Sequence, residues 1–280
     1  MVSLRFPFIF SNPKPPQNPR PFSKFTAAAA AAGAAAAFVA VSSNDRHRLF
    51  LQNALNSLMS SDNTLPLWGC LSLADSGVPI VDSRTGSSFP SVLEASQKLC
   101  GIGLRKKCIL GLKNIDVYAF GVYADDEEIK RYLSEKYGKF SASELKGNKE
   151  FTEDLLENDI HMTVRLQIVY GKLSIRSVRS AFEESVGKRL QKYGGSDNKE
   201  LLQRFTSQFR DEIKIPRGSV IHLTREKGHV LRTTIDGEEV GSIESKLLCR
   251  SILDLYVGEE PFDKHAKEEI ELNIASYLQS

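Results

Sequence analysis

The chain has 280 residues, 41% hydrophobic and 26% charged, values ordinary for a globular protein and enough for one large domain or two small ones. A net charge of +2 excludes the strongly basic surface expected of a nucleic-acid binder. Cys70, Cys100, Cys108 and Cys249 form no C-x-x-C pair and no regular framework, which excludes a disulfide-built fold, fits a reducing compartment and marks them as small buried hydrophobes.

Residues 1–44 contain no Asp or Glu and carry scattered Arg and Lys, serines and a Pro-rich stretch from Pro13 to Pro21. That composition predicts a cleaved transit peptide over 1–45, with few Arg and no amphipathic Arg face, favouring a plastid over a mitochondrion. The run Ala27 to Ala40 is too short and too weakly apolar for a membrane span, so no stable membrane insertion is expected. Residues 46–64 read as a polar linker with one short helix over Leu49–Met59, and the folded domain is expected over 65–280.

Within that domain a helix is predicted from Pro90 to Leu99, then a strand from Leu104 to Leu112 and a turn at Lys113-Asn114. The next strand alternates, with Ile115, Val117, Ala119, Gly121 and Tyr123 on one face and Asp116, Tyr118, Phe120 and Val122 on the other. Asp125 to Asn148 reads as charged helix with loops near Gly138 and Gly147. Ile160 to Val169 is a clear strand, with Ile160, Met162, Val164, Leu166 and Ile168 sharing the apolar face. A helix from Ser174 to Tyr193 is closed by Gly194-Gly195, and a further helix covers 199–213 before Pro216. Strands Ser219–Thr224, His229–Ile235 and Glu239–Ile243 follow, joined by turns at Glu226-Lys227-Gly228 and Asp236-Gly237. Helices over Ser245–Val257 and Asp263–Leu278 end the chain. The order implies an α+β fold, an antiparallel sheet covered on one face by helices.

Motifs for common chemistries are weak. Gly101-Ile102-Gly103 lacks a third glycine at phosphate-loop spacing and enters a strand rather than a helix. The five histidines show no metal-ligand spacing, and no G-x-S-x-G elbow exists, so neither a metal nor another cofactor is expected.

The run Gly101-Ile102-Gly103-Leu104-Arg105-Lys106-Lys107, the strand Val117-Tyr118-Ala119-Phe120-Gly121-Val122-Tyr123 and the helix around Cys249–Glu259 together resemble the chalcone isomerase family. The resemblance spans roughly residues 68–275 and is strongest to the family's plastid fatty-acid-binding branch, through Leu104–Asp125 and Val169–Gly187. It implies the chalcone-isomerase fold, an open-faced β-sandwich. It also implies the following site. Arg105 matches the arginine that true isomerases keep. Where they place a threonine this chain has Tyr118, where a tyrosine Ser174, where an asparagine Ala181, and where a lysine Arg165. Their flavonoid-contacting threonine and methionine become Leu255 and Tyr256. Most of the polar set for ring closure is therefore missing, and the chain is expected not to be an enzyme.

The resemblance places Arg105 beside Tyr118 at the mouth of an apolar cavity, and such a pair is expected to act as a carboxylate clamp, because a guanidinium fork matches two carboxylate oxygens and a phenol adds one donor. Replacement of polar groups by Ala181 and Leu255 suits an alkyl chain. The competing reading of Arg105 is a structural ion pair, for example with Asp116, and that of Tyr118 a packed strand aromatic. Ser185 is a third candidate, one turn beyond Ala181, and either reaches the carboxylate or bonds back to the Ala181 carbonyl. The expected ligand is a long- or medium-chain fatty acid, held without catalysis in the plastid stroma in support of fatty-acid metabolism. The alternatives are a chalcone-flavanone isomerase and a non-catalytic helper of flavonoid synthesis. The sequence names no protein partner.

Overall fold

Two antiparallel strands of 13 residues each, β4 (Gln97–Ile109) and β5 (Lys113–Asp125), carry the site-bearing end of the fold. The computed structural model describes residues 78–94, 96–109 and 113–279. The transit segment over 1–45, the linker over 46–64 with its helix at Leu49–Met59, the domain start at Leu65 and Cys70 lie outside the described residues.

A small hairpin, β1 (Ile80–Val81) with β2 (Ser88–Phe89), precedes a seven-stranded sheet. That sheet runs β3 (Val92–Leu93), β4, β5, β6 (Met162–Ile168), β7 (Val220–Glu226), β8 (Val230–Ile235) and β9 (Glu238–Glu244) in chain order, every neighbour antiparallel. Three helices, α1 (Asp126–Tyr137), α2 (Ala142–Leu145) and α3 (Lys149–Glu157), lie between β5 and β6. Helices α4 (Ile175–Gly194) and α5 (Lys199–Thr206) connect β6 to β7, and α6 (Lys246–Val257) and α7 (Lys264–Tyr277) follow β9.

The helices cover one face of the sheet. Phe120, Val122, Val164, Leu166, Ile221 and Leu223 from the strands meet Phe151, Phe182, Val186, Ile252, Leu255 and Ile270 from the helices in one core. All five residues assigned to the apolar face of β6 and its approach are almost fully buried. On the opposite face a smaller cluster of Phe89, Leu99, Leu104, Ala119 and Tyr123 packs under the β1–β2 segment. The glycines of β4 exist for α7. A Cβ on Gly101 would lie 2.8 Å from Ile270 Cγ1, and one on Gly103 would overlap the Phe120 ring and lie 2.7 Å from Ala266 Cβ.

Local signals explain most boundaries. Ser174 caps α4 by accepting the Ser177 N–H, and Gly195 ends it at φ +77°. Asp236 at φ +51° and Gly237 at φ +90° form the tight β8–β9 turn. Tertiary packing overrides the sequence pattern at several places. The helix expected from Pro90 to Leu99 is instead β3 and the start of β4, because Gln97 and Lys98 pair with Asp125 and Ala124 and Leu99 joins the outer cluster. Lys113 and Asn114, expected as a turn, open β5 and pair with Ile109 and Cys108. The helix expected over 199–213 stops at Thr206, where the chain folds back so that Phe209 packs on Phe182 and Phe205 at 5.2 and 5.4 Å. Cys108, expected to be buried, is exposed, whereas Cys100 and Cys249 are buried. Helix α3 has a clear start, Asn148 accepting the Phe151 N–H, in a stretch with no assignment from the sequence.

Candidate functional site

A cavity of about 340 Å³ opens between the sheet and α4. Its walls are apolar, with Ile115 and Val117 from β5, Leu166 and Ile168 from β6, Ile221 from β7, and Leu173, Val178, Ala181 and Phe182 in and before α4. Arg105 and Tyr118 both line it. They are direct cross-strand partners, so their side chains project side by side from the helix-covered face. Immediately beyond them the register slips, Lys106 pairing with Asp116 and leaving Val117 as the extra residue. The bulge breaks the strict alternation read from the sequence. Ile115 and Val117 therefore line the same cavity as Tyr118 instead of the opposite face.

The Arg105 guanidinium lies 3.7 Å from the centroid of the Phe262 ring. Among the described residues it makes no hydrogen bond and no ion pair; the pairing with Asp116 is not formed. A half-buried cation resting on an aromatic face, with its N–H fork unspent, is equipped to take an anion. The Tyr118 hydroxyl stands 3.3 Å from that of Tyr256 in α6. Burial pushes the Tyr118 phenol up to about 12, partly opposed by the Tyr256 hydrogen bond and the Arg105 charge. Tyr118 is therefore a neutral donor at physiological pH.

Ser185 is on the wall, half-buried, and its Oγ donates to the Ala181 carbonyl at 2.7 Å. It would have to release that bond to donate to a ligand. Ala181 itself borders the cavity, and Leu255 is fully buried in the core. Ser174 is occupied at the α4 cap, with its Oγ 2.8 Å from that of Ser177. Arg165 belongs to the other face of the sheet, its guanidinium over the Phe89 ring at 5.1 Å and donating to Gln167.

Several site residues were not legible in the sequence. Phe262 follows α6 in a turn, held by its N–H donating to the Leu255 carbonyl at 2.8 Å. Arg189, also on the cavity wall, bonds the nearly buried Asp254 at 3.0 Å and the Glu260 carbonyl at 2.7 Å. Tyr193 gives Asp254 a second donor at 2.6 Å, so α4 and α6 are pinned together beside Tyr256. Lys107, Lys172 and Lys188 add positive charge to the lining, with Glu184 its one acidic residue among the described residues. No periodic pattern marks these residues, because their common location depends on helix–sheet docking. The i to i+4 spacing of Arg189 and Tyr193 was the available signal, since it places both on one side of α4.

The family model described as "Chalcone isomerase like" matches residues 95–271. The chain is 58% identical to Fatty-acid-binding protein 1 of Arabidopsis thaliana, over 99% of this chain and 98% of that one. It is 34% identical to Chalcone isomerase-like protein 1 of Humulus lupulus, over 78% of this chain and 95% of the other. A Chalcone--flavanone isomerase of Gossypium hirsutum is 28% identical over 61% of this chain and 78% of its own. Among solved structures, the crystal structure of an Arabidopsis thaliana fatty-acid binding protein superposes with a TM-score of 0.70 at 62% identity, covering 72% of this chain and 100% of that one.

Proposed function

This chain belongs to the chalcone isomerase-like family, and from that premise we propose that it binds free fatty acids in the helix–sheet cavity without transforming them. The observation that carries this reading is the unspent guanidinium of Arg105 beside the protonated phenol of Tyr118, next to the apolar walls that the sheet and α4 give the cavity. Arg105 and Tyr118 receive the carboxylate. The alkyl chain lies among Leu166, Ile168, Ile221, Val178 and Phe182. Ser185 joins the clamp only by exchanging its bond to Ala181 for one to the ligand.

The division of labour follows from magnitudes. Each buried methylene contributes about 0.8 kcal/mol, so ten contribute about 8 kcal/mol before association and ordering costs. The charge-assisted head-group bonds add about 1.5–3 kcal/mol. The cavity thus sets affinity, and the clamp sets orientation and the preference for an acid.

The same positions speak against ring closure of a chalcone. Ala181 and Leu255 offer no polar group, and the hydroxyl of Ser174 caps a helix instead of facing the cavity. We propose further that residues 1–45 direct the chain to the plastid stroma, where the cargo supports fatty-acid metabolism.

Titration of the purified protein with palmitate and with methyl palmitate tests the clamp. Wild type is expected to prefer the acid, and Arg105→Ala to lose about 1.5–3 kcal/mol of acid binding while binding the ester nearly as before. An unchanged acid-to-ester preference in Arg105→Ala would remove Arg105 from the carboxylate.

A further inference from the structure

Tyr256 is fully buried in α6 and is not part of the cavity wall, yet it supports both clamp residues. Its hydroxyl lies 3.3 Å from that of Tyr118. Its ring meets Phe262 edge-on at 5.5 Å, and Phe262 carries the Arg105 guanidinium at 3.7 Å. We propose that Tyr256 is a positioning residue for the ligand's head group: it donates its proton to the Tyr118 oxygen and so turns the Tyr118 proton into the cavity, toward a carboxylate. This rests on the fatty-acid reading above.

The polarity of the pair follows from counting donors and acceptors. Each phenol has one proton to give and an oxygen that accepts. If Tyr118 donated to Tyr256, the Tyr256 proton would be buried with no acceptor among the described residues, a costly arrangement. Tyr118 would then have no proton for the ligand. With the opposite polarity the Tyr256 proton is used at once, and the Tyr118 proton points to the one place where an acceptor can arrive. A chain of donors running from Tyr256 through Tyr118 to a carboxylate also strengthens each of its bonds. Both phenols are protonated at neutral pH, and desolvation extends that range upward, Tyr118 to about 12 and Tyr256 well above the ordinary phenol value. The backbone around Tyr256 is held on both sides, by Asp254 bonded to Arg189 and Tyr193 and by the Phe262 N–H on the Leu255 carbonyl.

The test is a double-mutant cycle read by calorimetric titration with palmitate and methyl palmitate, with thermal melts of each protein. Tyr256→Phe keeps the ring and its contacts with Phe120 and Phe262. It is expected to weaken palmitate binding about threefold to tenfold, the usual share of one hydrogen bond, and to leave ester binding nearly unchanged. In a Tyr118→Phe background the same substitution should cost nothing further. Tyr118→Phe strands a buried Tyr256 proton, so it should lower the melting temperature more than Tyr256→Phe does. Equal losses for acid and ester, or the same loss in both backgrounds, would make Tyr256 a packing residue and overturn the proposal. So would a Tyr256→Phe protein that binds palmitate like wild type, or one that melts lower than Tyr118→Phe. A wild-type protein that binds no palmitate would instead overturn the fatty-acid reading itself.

Discussion

At the scale of single residues, the candidate site presents charged and polar groups whose bonding capacity is left partly unspent. Lys98, Lys136 and Lys146 each find a carboxylate within 2.8 Å, whereas Arg105 rests on Phe262 without one among the described residues. Tyr118 shares that setting, and its burial has a consequence for stability. Desolvation, opposed by the Tyr256 bond and the Arg105 charge, raises its phenol from 10.0 to about 12. The folded state therefore holds this proton more tightly than the unfolded state. Its contribution to stability is complete below pH 10, where the unfolded phenol is still protonated, and is lost as pH rises through about 12. Tyr137 and Tyr193 are likewise raised to about 12, Tyr137 by burial and its bond to Asp154, Tyr193 by burial and its bond to Asp254. Melting temperature is thus expected to fall between pH 10 and 12, and Tyr118→Phe to make that fall shallower. Thermal melts across that range check it; an identical slope would mean that Tyr118 keeps its ordinary ionisation.

At the scale of elements, the β4–β5 pair is built around missing side chains and one irregularity. Gly103 lets Phe120 and Ala266 close over β4, and Gly101 admits Ile270, so α7 lies directly on the strand. Gly103→Ala would force its methyl into the Phe120 ring and toward Ala266, in a region too dense to yield freely. The expected loss is about 1–3 kcal/mol, measured by urea unfolding. A neutral result would show that α7 is free to shift away from the sheet. The bulge beside Arg105 acts on the site directly, since it brings Ile115, Val117 and Tyr118 together at the cavity. Alternation alone puts Tyr118 opposite the other two, and no residue type in Ile115–Tyr118 announces the slip. Helix α4 was legible from its Ser174 cap to its terminal glycines because those signals are local.

At the scale of the whole molecule, charge is unevenly spread. Beyond residue 45 the chain carries 33 basic and 34 acidic residues, yet among the described residues of the cavity lining Arg105, Lys107 and Lys172 add to the pairs Lys188–Glu184 and Arg189–Asp254. Such a field draws anionic ligands toward the opening. Among the described residues no helix is long and apolar enough to cross a membrane. The acid-free composition of residues 1–44 motivates a test of address. Residues 1–60 fused to a fluorescent reporter are expected to carry it into plastids, as seen by microscopy of plant cells; a secreted or cytosolic reporter would contradict the assignment.

Features that depend on neighbours along the chain could be read from residue order. The period of β6, the caps of α4, the turns at Gly228 and Asp236-Gly237 and the α+β order all follow from residues a few positions apart. The resemblance carried by Gly101–Lys107 and Val117–Tyr123 also singled out Arg105 and Tyr118 as candidates, and both line the cavity. Tertiary structure alone decided that Pro90–Leu99 gives strand, because Leu99 gains more from Phe89 and Tyr123 than a short helix would provide. It alone placed Phe262 under Arg105 and Tyr256 against Tyr118, residues 157 and 138 positions apart. Those contacts exist only after α6 and the following turn dock on the sheet. Docking is driven by apolar burial, which is non-directional and leaves no mark on the spacing of the polar groups it brings together.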